Sequence, residues 1–234
     1  MQMIATRRRP CAETLASELN PEELERLVAA IRGLRDEGLR GEHIEIGTAA
    51  GGTLVQMLKA FGDAPRPPFW VVDPMNYFPD QLAAVHANLS RHGLDPAAVR
   101  FFVMPSTRAF REAQHRPPRA ALLFIDANHE LHGVTRDLRW TRFLQPGGIV
   151  CLHDYVPGDR LCGVTRAADR FLVQNPHFER ESLTRSLLVL RKRGEGGGGE
   201  VSALEIGRAE VLRQFLKLGR SLRKRRAQAA AGRG

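Results

Sequence analysis

From residue 20 onward, short apolar runs alternate with stretches whose apolar residues recur every three or four positions, the patterns of strand and helix respectively. Asn20 before Pro21, Glu22 and Glu23 reads as a cap, a first-turn proline and acids at a helix start. Leu24, Leu27, Val28 and Ile31 then give that helix one apolar face. The pattern predicts a strand at 43–46, a helix at 53–61 and a strand at 69–72 that ends on Asp73-Pro74. A helix at 80–92, a strand at 100–104, a helix at 107–115, a strand at 120–126, a helix at 130–144 and a strand at 148–153 continue it. One more helix beyond 160 and two closely spaced strands, 177–183 and 186–191, complete the series, the last two suited to antiparallel pairing at an edge.

Helices between strands require crossover connections, which produce a parallel sheet covered on both faces. Residues 120–125 are apolar throughout, as a central strand buried on both sides demands. The fold class is therefore expected to be α/β with a hairpin finish. Four consecutive glycines within 194–200 oppose helix and strand alike. The expected division is an N-terminal extension at 1–19, a domain at 20–192, a glycine-rich linker at 193–200 and a tail at 201–234. In the tail Leu204, Val211, Phe215, Leu218 and Leu222 recur at helical spacing before Arg223-Lys224-Arg225-Arg226, which predicts a basic amphipathic helix on a tether.

Composition narrows the class. With 234 residues, 43% hydrophobic and 26% charged, the chain can bury a core and falls outside disordered and fibrous types. Cys11, Cys151 and Cys162 are few, odd in number and far apart, so a disulfide framework is not expected and a reducing cytoplasm fits. No apolar run reaches transmembrane length, and none follows Arg7-Arg8-Arg9 as a secretory signal requires. A soluble, cytoplasmic protein is expected. The net charge of +9 divides into +1 through residue 190 and +8 after it. A near-neutral body is poor evidence for a phosphate-tracking surface, whereas the tail could contact an anionic surface or an acidic partner.

The densest chemical signal is Glu45-Ile46-Gly47-Thr48-Ala49-Ala50-Gly51-Gly52-Thr53, a strand running into a glycine-rich turn that opens a helix. Gly47 and Gly51 are expected to let the backbone bend and approach a ligand closely. An acid ahead of the first glycine would repel a pyrophosphate and suits a cationic ligand, such as S-adenosylmethionine with its ammonium and sulfonium. Asp73 ends the next strand, where a carboxylate can accept from both hydroxyls of a ribose, and Ser106-Thr107 end the following one, near where an adenine edge would lie. Asp126 and His153-Asp154 end two further apolar strands and should emerge at the same sheet edge. Two carboxylates there can hold a hard cation, and an imidazole beside them favours manganese, iron or zinc over magnesium. His129 could take a proton near neutral pH.

These residues resemble those of the class I S-adenosylmethionine-dependent methyltransferases, and within them small O-methyltransferases of the catechol type and the macrocin-like bacterial sugar O-methyltransferases. The resemblance covers 41–192. It is carried by Glu45 to Gly51, Val72-Asp73-Pro74, Phe124-Ile125-Asp126-Ala127-Asn128-His129 and Gly147 through Asp154. It implies a Rossmann-like, doubly wound, mostly parallel sheet with an antiparallel terminal strand, and methylation of a small-molecule hydroxyl on a sugar or phenol. It also implies Glu45, Gly47, Thr48, Gly51 and Thr53 near the methionine portion of the cofactor, Asp73 at the ribose, and Ser106 and Thr107 near adenine. Asp126 is placed both beside the cofactor and, with His153 and Asp154, where relatives hold Mg2+ or Mn2+. His129 falls where catechol-type enzymes place a proton-removing lysine. Relatives carry Asp and Asn, or Glu and Asp, where this chain has His153-Asp154.

Other readings of the same residues stay open. Asp126 could cap the next helix, His129 could be a solvated loop residue, and His153 could orient Asp154 without touching metal. Arg136 and Asp137 read as a solvated helix face, and Trp140 and Cys151 as core. A nucleic-acid methyltransferase or binder using the tail is a second function. The body lacks an Asn-Pro-Pro-Tyr or Asp-Pro-Pro-Tyr motif and has only two Trp and two Tyr for base stacking. A non-catalytic protein tethered to a membrane or partner is a third. The acceptor's identity and a homo-oligomeric state stay open.

Overall fold

The first helix, α1 (Pro21–Asp36), begins where its cap predicts, with the Asn20 N–H donating to the Glu23 carboxylate at 3.0 Å. Its apolar face buries Leu27, Ala30, Ile31 and Leu34. A computed structural model of the chain describes residues 15–194 and 201–231, the side chains of 220 and 222–231 excepted. Cys11, Arg7-Arg8-Arg9 and residues 195–200 of the glycine-rich linker lie outside the described residues.

The alternation continues as β1 (Glu42–Ile46), α2 (Gly52–Lys59), β2 (Phe69–Asp73), α3 (Gln81–Arg91), β3 (Val99–Val103), α4 (Ser106–Ala113), β4 (Ala120–Ile125) and α5 (Leu131–Asp137). Then follow β5 (Leu144–Leu152), α6 (Gly163–Gln174), β6 (Phe178–Thr184), β7 (Leu187–Lys192) and α7 (Ala203–Ala231). The seven strands form one sheet in the order β3-β2-β1-β4-β5-β7-β6, with β7 antiparallel to both neighbours. This is the doubly wound, mostly parallel sheet expected.

Successive strand residues face opposite layers, so the sheet has two cores. Ile44, Ile46, Leu123, Ile125 and Val150 pack with α4, α5 and α6, while Val71, Leu122, Phe124 and Ile149 pack with α1, α2 and α3. β4 pairs in parallel with β1 on one side and β5 on the other, and all six of its residues are buried.

Three expectations change. The helix expected at 130–144 stops at Asp137 and tightens into a 3-10 stretch, Leu138–Phe143, and β5 starts at Leu144 instead of 148. A spacing of three aligns residues in a 3-10 helix. Trp140 and Phe143 thereby share a face against Phe110, with ring centroids 5.8 and 5.1 Å from it.

The tail helix is not on a free tether. In α7 Ala209 and Leu216 are buried and Leu212 packs beside them, Arg213 and Lys217 reach Glu130 at 3.2 and 2.8 Å, and Glu205 pairs with Arg170 at 2.6 Å. The face that docks is therefore not the apolar stripe singled out from the sequence.

The last residues of the N-terminal extension also join the body. Leu19 is buried, Asn88 donates to the Leu15 carbonyl at 2.8 Å, and the Ser17 and Thr53 hydroxyls are 2.8 Å apart. No helix among the described residues is long and apolar enough to cross a membrane.

Candidate active site

β1 lies where the chain's winding reverses: β2 and β3 follow on one side, β4 and β5 on the other. In such sheets a crevice opens beyond the carboxyl ends of the strands at the reversal. A cleft of about 960 Å³ occupies that position, lined by Glu45, Thr48, Thr53, Asp73, Ser106, Thr107, Asp126 and His129 among others. Residues 16 and 18 of the N-terminal segment also line it.

The glycine-rich turn bends as its sequence predicts, with Gly47 and Gly51 at φ +86° and +79°. Gly47 lines the cleft. A Cβ on Gly47 would lie 2.4 Å from the Asp126 carbonyl, one on Gly51 3.1 Å from Val85, and one on Gly52 2.1 Å from the Ala16 carbonyl. What comes close to each is the protein's own chain, and Gly51 does not line the cleft. Ala49, Met75 and Asp154, at φ +45°, +54° and +62°, add non-glycine residues in the left-handed region around the cleft. Such strain persists only where surrounding contacts enforce it.

Glu45 is fully buried and neither carboxylate oxygen has a hydrogen-bond partner. Burial, opposed by the Thr48 side chain beside it and helped by the Asp126 and Asp73 charges, pushes its carboxyl up to about 8. An unpaired buried carboxylate is costly, so this group is stable as the acid or opposite a cation. Asp73 accepts from the Thr48 N–H at 3.0 Å and the Met75 N–H at 2.7 Å, with Gln81 beside it. Gln81 Nε2 donates to it at 3.4 Å, so of the four acceptor positions of the carboxylate one, on Oδ2, is left for the ribose contact expected of Asp73. Burial still raises its carboxyl despite these donors.

Thr53, expected beside the methionine portion, shares its hydroxyl with Ser17. Ser106, expected near adenine, donates its hydroxyl to Asp137. The reading of Asp137 as a solvated surface acid is overturned: it is buried, and burial pushes its carboxyl up to about 7. Trp140 and Cys151 are core residues as read, and burial raises the Cys151 thiol to about 12.

On the β4 and β5 side, ligand atoms of Asp126, His153 and Asp154 lie within 4.8 Å of one another. His153 Nδ1 is 3.2 Å from Asp126 and Nε2 is 3.3 Å from Glu23, and His129 Nδ1 is 3.0 Å from Asp154. Tyr155, the next residue, is buried and its hydroxyl donates to Asp169 at 2.9 Å. Burial favours the neutral acid at Asp126, but His129 and His153 overcome it and hold the carboxyl at about 2. Burial lowers His153, yet its bond to Asp126 and the charges of Asp126, Asp154 and Glu23 bring it up to about 9. The His129 imidazole is also raised, first by its bond to Asp126.

Glu23 was read only as a first-turn acid. It is buried, accepts from the Ser186 N–H at 2.8 Å and hydroxyl at 2.7 Å, and backs His153. No local pattern distinguishes it from Glu22, since the partners lie on distant segments.

A sheet of this order, a partnerless acid ahead of a glycine turn and a second acid on the adjacent strand end can now be set beside known proteins. A family model described as a methyltransferase domain matches residues 44–155. Over those residues, just under half of its length, the chain is similar to a methyltransferase domain. No curated protein matches its sequence. Similar solved structures include cofactor-bound Rv0187 from MTB, 17% identical over 76% of this chain and 82% of that one, TM-score 0.59. The O-methyltransferase from Bacillus cereus in complex with SAH is 13% identical over 78% and 86%, TM-score 0.61. CalS11, a TDP-rhamnose 3'-O-methyltransferase of calicheamicin biosynthesis, is 17% identical over 74% and 81%, TM-score 0.58. At these identities the likeness to the methyltransferase is one of fold.

Proposed function

We propose that the chain is an S-adenosylmethionine-dependent methyltransferase acting on a hydroxyl oxygen of a small molecule, a sugar or a phenol, with a divalent cation assisting. The observation that carries the reading is the cluster of Asp126, His129, His153 and Asp154, of which Asp126 and His129 line the same cleft as Glu45 and Asp73. CalS11 and the Bacillus cereus protein, both named as O-methyltransferases, support the choice of oxygen.

Adenosylmethionine supplies an electrophilic methyl group on a sulfonium. Glu45, whose buried carboxylate oxygens accept no hydrogen bond, suits the ammonium of that cofactor, and Asp73, with one acceptor position left on Oδ2, suits a ribose hydroxyl. The turn from Gly47 to Ala50, with Thr53, Ser106 and Thr107, lines the cleft. Asp126, His153 and Asp154 fit a cation such as Mg2+ or Mn2+: two carboxylates and an imidazole converge, and Glu23 holds the imidazole's far nitrogen. When bound there, the ion would supply Lewis acidity toward an acceptor hydroxyl. His129, half exposed at the cleft, is the group placed to receive the hydroxyl's proton.

The test is methyl transfer from labelled adenosylmethionine to a panel of sugars and phenols, in EDTA and after restoring Mn2+ or Mg2+. Transfer to oxygen that EDTA abolishes and the ion restores is the expected result. Transfer unaffected by EDTA removes the metal, and transfer only to nitrogen or to RNA removes the acceptor class.

A further inference from the structure

Helix α7 carries two apolar stripes. One, Ala209, Leu212 and Leu216, is packed against the body. The other, Leu204, Val211, Phe215 and Leu218, is 60–66% exposed. At 3.6 residues per turn the stripes lie roughly 120° apart around the helix axis. The docked stripe therefore leaves the second one open along the flank of the molecule. In sequence Leu222 continues its spacing.

The charge along the helix selects what can cover that stripe. Residues 211–226 contain seven Arg or Lys and no acid. The two acids of the helix are both in use: Glu205 pairs with Arg170 and Arg208, and Glu210 with Arg213. A second copy docking stripe to stripe would bring two such cationic runs together without spare acids to neutralise them. A nucleic acid would answer the charge and leave Leu, Val and Phe in water. A bilayer with anionic headgroups answers both, taking the apolar stripe into the headgroup and acyl boundary and the basic run against the lipid phosphates and carboxylates.

We propose that α7 is a membrane-surface helix that seats this methyltransferase on an anionic lipid leaflet through Leu204, Val211, Phe215 and Leu218. The basic run around residues 220–226 supplies the long-range attraction. The body stays above the surface, held to the helix by Glu130, which pairs with both Arg213 and Lys217. Glu130 also lines the cleft, so the lipid-facing helix is tied directly to the cleft wall.

The test is flotation of the full chain with vesicles of phosphatidylcholine alone and of equal parts phosphatidylcholine and phosphatidylserine. Binding only to the anionic vesicles, weakened by salt, is expected. Val211→Glu with Phe215→Glu should reduce it at least tenfold while leaving the melting temperature unchanged, because both side chains are exposed. Glutamine at Arg223, Lys224, Arg225 and Arg226 should weaken it by roughly fivefold per charge removed. No flotation by the folded chain overturns the proposal. Flotation that persists at full strength in the double glutamate variant also overturns it, since charge alone would then suffice. A dimer dispersed by the glutamates, without lipid binding, assigns the stripe to a second copy, and RNA binding indifferent to them assigns the tail to nucleic acid. Either result replaces the membrane reading. Methyl transfer in solution is a separate measurement, so failure here leaves the cleft chemistry standing.

Discussion

Glu45 and Asp126 stand at the carboxyl ends of neighbouring parallel strands and line one cleft, yet their carboxyls are driven in opposite directions. Glu45 has no partner and rises to about 8, whereas Asp126 has two imidazoles and falls to about 2. Burial pushes both upward, so the difference lies in what the tertiary fold brings to each. On the proposed function, the half of the cleft around Glu45 is the one that takes the cofactor's ammonium. The half around Asp126 is already satisfied by the protein, and any ion entering it must displace protons from that network.

The largest expected effect is at the satisfied half. Asp126→Asn removes the group that joins His129 and His153 and should lower turnover by about 100-fold or more. Adenosylhomocysteine affinity, measured calorimetrically, should stay close to that of the unchanged protein. A loss of affinity as large as the loss of turnover would show that the two halves do not act separately.

Glu45→Gln should do the reverse. Adenosylhomocysteine affinity should fall by about thirtyfold or more, as when one member of a buried charge pair is removed. The ligand-free protein should melt higher at pH 8, because an uncompensated buried carboxylate is gone.

The two carboxyls should also mark opposite limbs of the stability curve. Glu45 titrates at about 8 when folded against 4.5 as its ordinary value, so its contribution falls as pH rises between those values. Asp126 is depressed to about 2 from 3.8, so its contribution is present above 3.8 and lost as pH falls toward 2. Thermal melts from pH 3 to 9 check this, and Glu45→Gln should flatten only the neutral limb. Adenosylhomocysteine affinity should rise with pH until about 8, by up to tenfold per pH unit, if the ligand's ammonium needs the ionised Glu45.

Asp137→Asn offers a smaller effect on the same axis. Burial raises this carboxyl to about 7 from 3.8, so its contribution to stability declines as pH rises through that window. The amide should therefore raise the melting temperature at pH 8 by more than at pH 5. Gly52→Ala should cost about 1–3 kcal/mol by forcing the Ala16 carbonyl away, with proteolysis exposing residues 15–19 first.

Much of the architecture was legible along the chain because it depends on local periodicity. Apolar runs between amphipathic stretches marked every strand of the sheet, and carboxylates at the ends of β1, β2 and β4 were necessarily carried to one edge. Asp126, His153 and Asp154 were found the same way, and they do converge. Glu23 and Asp137 were not, since a buried acid in a helix looks like a surface acid until its distant partners are known.

Sequence alone thus determined the order of the elements, the acids at the strand ends and the cationic run of the last helix, all properties of neighbours in the chain. Only the tertiary structure decided that Glu45 is left unpaired, that Asp126 is gripped by two histidines, and which stripe of α7 docks. The reason is that pairing and burial depend on groups far apart in sequence, and their positions exist only after the sheet has assembled.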